Sequence, residues 1–163
     1  IGRFSPEKGH TRLIQAFNQL YQENKNIYLI IIGGLGKEYE KVLELVKQVP
    51  CGKNIIIIKS ISNPYTILNK SDYFVLSSFY EGFGLVIAEA NILGKPVIST
   101  NVVGPRSFMK ENGGTLVENN QEGLYQGMKK LLNNQVPVME VDYEQYNQKA
   151  IEEFYNLLKK DAK

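Results

Sequence analysis

Short apolar runs alternate with amphipathic stretches along the chain, and this alternation restricts the folds that are open to it. Residues 27–32 and 55–58 form nearly continuous apolar runs, which are typical of strands buried on both faces. Between them, residues 39–49 carry apolar side chains at helical spacing. Because a strand, a helix and a second strand form a right-handed crossover between parallel strands, we expect an α/β fold with a parallel sheet.

The alternation continues over most of the 163 residues. We predict strands at 27–32, 55–58, 73–76, 96–99 and 114–117, and helices at 10–22, 39–49, 64–70, 84–93, 121–133 and 143–160. The expected architecture is a Rossmann-like parallel sheet with helices on both faces, in one domain over residues 1–163. Within it we predict a core at 1–133, a polar linker at 134–142 and a C-terminal helix at 143–160. Ile1-Gly2 resembles the end of a strand, which suggests a piece of a longer protein.

The composition is that of a globular protein, with 43% hydrophobic and 22% charged residues. The formal net charge of +2 gives no electrostatic reason to expect a nucleic-acid partner. The longest apolar run is too short to cross a bilayer. Cys51 is the single cysteine and fits a reducing, cytoplasmic compartment, where we expect a structural role for it.

The segment at 77–90 carries the most chemistry, since it follows a predicted strand and opens a helix. Ligands of parallel α/β sheets bind at the carboxyl ends of the strands, where this segment lies. Gly82 and Gly84 flank the turn and allow a ligand to approach the backbone N–H groups closely. A helix N-terminus binds phosphate well, so we predict a phosphate site here.

Two carboxylates belong to this segment. Glu89 lies among apolar residues on the predicted helix and needs hydrogen-bond donors if it is buried, for which the hydroxyls of a ribose are suited. Glu81 precedes the turn and is free to reach a sugar hydroxyl. The pattern alone leaves open that Glu89 faces solvent and that Glu81 is an ordinary loop charge.

Two cations lie in the loop at 2–9. Arg3 can hold phosphate through paired hydrogen bonds, and Lys8 adds a point charge, so that together they would neutralise a diphosphate. The loop taken alone fits an ordinary exposed segment equally well. His10, which follows it, is expected to be exposed at the start of a helix, and Tyr65 and Tyr80 are expected to pack or to stack on a base or sugar.

Taken together, these motifs resemble the C-terminal, donor-binding domain of family 4 (group 1) glycosyltransferases, which have the two-domain GT-B architecture. Gly2-Arg3 and Lys8-Gly9 match the family's GR-x-x-x-x-KG element, and Glu81 and Glu89 match its E-x7-E element. The stretches at 71–78 and 93–100, with Gly104-Pro105, also match. The resemblance covers residues 1–133.

The resemblance implies transfer of a hexose, with retention of configuration, from a nucleoside diphosphate sugar. It implies a catalytic group of Glu81, Arg3 and Lys8, in which Glu81 contacts the donor sugar and the two cations bind the diphosphate. Ribose contact by Glu89 is also implied. The implied substrate-binding residues are Gly2, Ser60, Ile61, Ser62, Phe83, Gly84, Leu85, Val86 and Glu89. The base would rest against residues 60–62, with UDP as the expected nucleotide.

The resemblance also implies how the whole enzyme is organised. The expected acceptor is a glycan or a lipid-linked molecule of a bacterial capsule or cell surface, bound by an N-terminal domain outside this sequence. We expect no metal or other cofactor, little activity of this piece alone, and a cytoplasmic protein that is peripheral at the inner membrane face through its other domain. A non-catalytic nucleotide-sugar-binding module and a nucleotide-sugar epimerase domain are the alternatives.

Overall fold

The computed structural model describes the backbone of residues 1–160 and the side chains of residues 1–152, 154 and 155. The strands are β1 (Leu29–Ile32), β2 (Ile55–Ile58), β3 (Phe74–Leu76), β4 (Val97–Thr100) and β5 (Thr115–Val117). The helices are α1 (His10–Glu23), α2 (Tyr39–Gln48), α3 (Tyr65–Lys70), α4 (Leu85–Ile92), α5 (Val103–Glu111), α6 (Gln121–Leu132) and α7 (Tyr143–Lys160). Short 3-10 helices occur at Pro6–Lys8 and Gly52–Asn54.

All strand pairings are parallel, as the alternation predicts, but the strands form two sheets. β1 pairs with β2, with Leu29 opposite Ile55, and β4 lies between β3 and β5. A cavity of about 710 Å³ lies between the two sheets, lined by residues of β1 and β3 and by Ile1. Next to it, the Gly2 N–H donates to the Ile32 carbonyl at 2.9 Å, so the start of the chain runs beside the end of β1.

Helices cover both faces of the strands, as predicted. Successive residues of a strand point to opposite faces. On β4, Val97 packs into an apolar cluster with α4 and α5, whereas Ile98 packs into a second cluster with α1 and α6. Alternate residues of β4 thus face different helix layers, which explains why β4 is buried along its whole length.

Helix α5 was not among the predicted elements. The Gly104-Pro105 pair in its first turn is typical of a loop, and for this reason the sequence favoured a connection there. Proline is tolerated in the first turn of a helix because the N–H groups there have no partner within the helix. Phe108 and Met109 then bury the apolar side of α5 against the core.

The segment at 134–142, which we predicted to be a polar linker, packs apolar side chains into the core. Val136 and Met139 are buried, one in each apolar cluster, and the Asn91 side chain donates to the Met139 carbonyl at 2.8 Å. In α7, the Tyr146 ring packs edge-on against Phe108, 5.5 Å between centroids. Residues 161–163 lie outside the described part. Within that part, no helix combines the length and the apolar composition that a membrane span needs.

Candidate functional site

Two loops are tied together at the carboxyl end of β3. The segment at 77–84 joins β3 to α4, and the loop at 5–9 leads into α1. The Phe79 N–H donates to the Glu7 carbonyl at 2.7 Å, and the Ser77 hydroxyl donates to the Lys8 carbonyl at 2.8 Å. The two sequence motifs, more than 60 residues apart, are therefore held side by side.

An ion pair connects the side chains of these loops. The Lys8 ammonium lies 2.6 Å from a carboxylate oxygen of Glu81, and the side chains are 23% and 15% exposed. The buried Ser78 hydroxyl donates to the same carboxylate oxygen at 3.2 Å, and the Ser78 carbonyl accepts from the Thr100 hydroxyl at 2.6 Å. Glu81 is thus fixed by two donors at the edge of the sheet.

The turn after Glu81 depends on glycine. Gly84 caps the N-terminus of α4 with φ of 76°, a left-handed conformation that favours glycine. A Cβ at this position would lie 3.1 Å from Pro105 Cγ, because the start of α5 packs against the turn. Gly82 is exposed, as are the side chains of Phe83 and Leu85, while Val86 is half-buried. The N-terminus of α4 is therefore presented next to Glu81.

Glu89 lies one helical turn further along α4 and is half-buried. Hydrogen bonding to the Glu89 carboxylate, together with its charge, raises the pKa of Tyr65 at the start of α3.

The remaining sequence-predicted residues surround this pair. A Cβ at Gly2 would lie 3.3 Å from Lys8 Cε, so Gly2 packs beneath the lysine side chain. Arg3 is exposed and makes no ion pair or hydrogen bond through its side chain within the described residues. Residues 60–62 are exposed in the loop between β2 and α3. Lys8 thus contacts both Gly2 and Glu81, whereas within the described residues no side-chain hydrogen bond or ion pair joins Arg3 or residues 60–62 to Lys8 or Glu81.

Several expectations about single residues need correction. His10 is buried, 7% exposed, because its ring stacks on Phe4 with centroids 4.8 Å apart; the prediction of an exposed residue was wrong. Burial, with positive charges nearby, lowers the pKa of His10 to about 4. Tyr65 and Tyr80 are exposed and do not pack in the core. Cys51 is buried, which agrees with a structural role.

Sequence reasoning missed Arg12. It lies on α1 beside the apolar stripe and reads there as a solvated charge, yet it is only 6% exposed. Its guanidinium donates to the Ser77 carbonyl, at 3.0 and 2.7 Å, directly beneath the site loops. A signal was present, since a cation followed directly by the buried Leu13 and Ile14 must find hydrogen-bond acceptors if it also lies inside.

This arrangement is suited to an anionic ligand. Two cations, Lys8 and Arg3, and the N-terminus of α4 can stabilise the negative charge of phosphate groups. Two carboxylates, Glu81 and Glu89, can accept hydrogen bonds from hydroxyl groups. In the described part of the chain, no three His, Cys, Asp or Glu side chains are grouped to hold a metal ion.

Comparisons with known proteins identify glycosyltransferases as relatives of this chain. The capsular polysaccharide biosynthesis glycosyltransferase CapM of Staphylococcus aureus is 33% identical over 140 residues, 83% of this chain and 36% of the relative. A Campylobacter jejuni transferase, described as an N-acetylgalactosamine-N,N'-diacetylbacillosaminyl-diphospho-undecaprenol 4-alpha-N-acetylgalactosaminyltransferase, is 30% identical over 135 residues, 81% of this chain and 36% of its own length. The chain thus spans about a third of these relatives.

The fold is also found in solved structures. A mutant of TarM from S. aureus, solved in complex with fondaparinux, alpha-GlcNAc-glycerol and UDP, matches with a TM-score of 0.73 and 25% identity. The match covers 82% of this chain and 28% of TarM. The family described as glycosyl transferases group 1 matches residues 1–153, almost the entire sequence. With its parallel α/β fold and paired site loops, the chain therefore belongs to the glycosyl transferases group 1 family.

Proposed function

We propose that this chain binds the donor substrate of a retaining glycosyltransferase, a nucleoside diphosphate sugar, at the carboxyl edge of β3. The observation that carries the proposal is the contact between Lys8 and Glu81, which joins a phosphate-binding cation to a sugar-binding carboxylate beside the N-terminus of α4. The UDP in the matched TarM structure supports uridine diphosphate as the nucleotide.

In this proposal each group has one task. Arg3, Lys8 and the backbone N–H groups at residues 83–86 bind the diphosphate, and Glu89 accepts hydrogen bonds from the ribose. Glu81 accepts hydrogen bonds from the donor sugar, and residues 60–62 support the base. Departure of the nucleotide leaves negative charge on the diphosphate, and fixed cations beside a helix N-terminus lower the barrier to that step. No metal ion is required for it, since the two cations supply the positive charge.

Because this chain spans about a third of its relatives, we propose the remaining roles for the whole protein. We assign acceptor binding to a further domain and a glycan or lipid-linked molecule as the acceptor, as the names of the relatives suggest. We also assign a cytoplasmic location, peripheral at the inner membrane face. The transfer of a hexose is the reaction expected of the assembled protein.

The proposal can be tested with this chain by measuring the affinities of several nucleoside diphosphates by calorimetry. We expect UDP to bind more tightly than uridine, because the cations act on the diphosphate. Lys8→Met should weaken UDP binding about tenfold, the effect of losing one charged hydrogen bond, and leave uridine binding unchanged. The matched control is Lys53→Met, at an exposed lysine of a distant 3-10 helix. Equal affinities of UDP for the wild type and Lys8→Met would contradict the assignment.

A further inference from the structure

Arg12 is a buried cation that touches two loops at once. Its Nε and Nη2 donate to the Ser77 carbonyl at 3.0 and 2.7 Å. Its Nη1 donates to the Asn119 carbonyl at 3.0 Å, and Nη2 also donates to the Asn119 side-chain oxygen at 2.7 Å. The guanidinium carbon lies 3.6 Å from the centroid of the Phe79 ring, a cation–π contact.

None of the described residues gives Arg12 a carboxylate partner, since the ion pairs of that part of the chain involve other cations. Burial lowers the pKa of Arg12 to about 10. Removing a cation from water without an anion beside it is unfavourable, so stability alone does not explain a guanidinium here. What the side chain does provide is a planar fork with a fixed hydrogen-bond geometry.

The acceptors of Arg12 are part of the candidate site. Ser77 also donates to the Lys8 carbonyl, and the Asn119 amide donates to the Phe79 carbonyl at 3.3 Å. Phe79 in turn donates to Glu7. The loops at 5–9, 77–81 and 118–120 are therefore all tied, directly or through one residue, to a single guanidinium.

Close packing around Gly9 leaves little freedom in this arrangement. Gly9 has φ of 64°, and a Cβ there would lie 2.8 Å from Arg12 Nε and collide with the Ser77 carbonyl oxygen. The backbone of the Lys8 loop thus touches the guanidinium and its main acceptor. A displacement of Arg12 would have to move both sides of the Lys8–Glu81 pair.

We propose that Arg12 is a positioning residue, which fixes the segment at 77–81 against the Lys8 loop so that Lys8 and Glu81 present their charges to the donor. This inference rests on the proposed function for the identity of the donor, and on the hydrogen bonds of Arg12 for the positioning itself. Lysine cannot replace arginine in this role, because one ammonium cannot bond in plane to Ser77 and Asn119 together.

Arg12→Lys tests the inference, with Leu20→Ala as the matched control. Leu20 is also buried on α1 but lies near its other end, so its truncation destabilises the helix without touching the loops. We expect Arg12→Lys to weaken UDP binding about tenfold for the folded protein. The amide NMR signals of residues 78–82 should also shift. Leu20→Ala should lower the melting temperature and leave both properties unchanged.

A second variant tests the inference if Arg12→Lys does not fold. Asn119→Ala, at an exposed loop residue, removes one acceptor of Arg12 and the donor to Phe79. We expect a loss of UDP affinity of about threefold, together with shifted amide signals at Phe79 and Glu81. Wild-type UDP affinity and unshifted site signals in Arg12→Lys or Asn119→Ala would overturn the inference.

The amide signals also separate this inference from the proposed function. If the wild type binds no nucleotide, the proposed function fails, but spectra without nucleotide still show whether Arg12→Lys displaces residues 78–82 and Leu20→Ala does not. Similar displacement in both variants would assign Arg12 a general structural role and overturn the positioning role.

Discussion

The ammonium group of Lys8 lies 2.6 Å from the carboxylate of Glu81, a residue 73 positions away in the chain. Each partner belongs to a separate sequence motif, and the fold brings both to one edge of the β3–β4–β5 sheet. In the absence of a ligand each charge is neutralised by the other. A diphosphate that binds Lys8 must therefore compete with Glu81, unless the sugar takes up the carboxylate at the same time.

This competition predicts opposite effects for two ligands in Glu81→Gln. Removing the negative charge frees Lys8, so UDP should bind the variant at least as tightly as the wild type. A UDP-sugar should lose about tenfold in affinity, because the hydroxyl contact to the carboxylate is weakened. Calorimetric titration with both ligands measures the split. Equal losses for UDP and the UDP-sugar would show that Glu81 has no role specific to the sugar.

Glu89 is predicted to bind the ribose, and Tyr65 reports on its charge. In Glu89→Gln, the pKa of Tyr65 should fall back toward the usual tyrosine value, because the carboxylate that raises it is gone. The same variant should bind UDP about tenfold more weakly, whereas Glu44→Gln, at an exposed ion pair of α2, should not. Ultraviolet titration and calorimetry measure the two effects. A fall in the Tyr65 pKa with unchanged UDP affinity would leave Glu89 without a ribose role.

Two glycines with left-handed backbone conformations, one at each end of α4, allow a controlled comparison. Gly84 and Gly94 have φ of 76° and 69°, so alanine at either position should destabilise the fold by about 1 kcal/mol. A Cβ at Gly94 meets open space, whereas one at Gly84 approaches Pro105 beside the predicted phosphate site. Only Gly84→Ala should therefore also weaken UDP binding. Denaturation and calorimetry on both variants test this, and an equal effect on UDP affinity would argue against phosphate binding at the turn.

The features that sequence predicted best are those encoded by neighbouring residues. The β-branched run of β2 fits a buried parallel strand whatever surrounds it, and the predicted strand at 55–58 has the same bounds in the structure. Gly84 of the turn at 77–84 likewise indicates its own left-handed conformation, with φ of 76°, whereas Gly82 is not among the glycines with positive φ. The Gly104-Pro105 pair misled for the same reason, because its local signal of a turn is compatible with the first turn of α5.

The features that sequence could not predict depend on distant partners. Arg12 is buried because carbonyls 65 and 107 residues away accept its hydrogen bonds. His10 is buried because the loop before α1 folds back and places Phe4 against it. A charged or titratable side chain at a helix start is solvated by default, and only the tertiary packing of these loops reverses that expectation.

Burial of neutral His10 predicts a dependence of stability on pH. Its pKa is about 4 in the folded chain and near 6.5 in an unfolded one, so the unfolded state binds more protons between these values. The contribution of His10 is therefore complete above about pH 6.5 and is lost as the pH falls toward about 4. Between about pH 7 and about pH 5 the wild type should lose about 2 kcal/mol more stability than His10→Gln. Urea denaturation at both pH values checks this, and parallel losses would show that His10 titrates normally.

Amide NMR during titration with UDP tests most directly whether the edge of the sheet at Lys8 and Glu81 is the donor site. We expect saturable shifts at Gly82, Gly84, Leu85 and Lys8, which are reduced in Lys8→Met and unchanged in Lys53→Met. Saturable shifts confined to other surfaces, with these four signals unmoved, would contradict it.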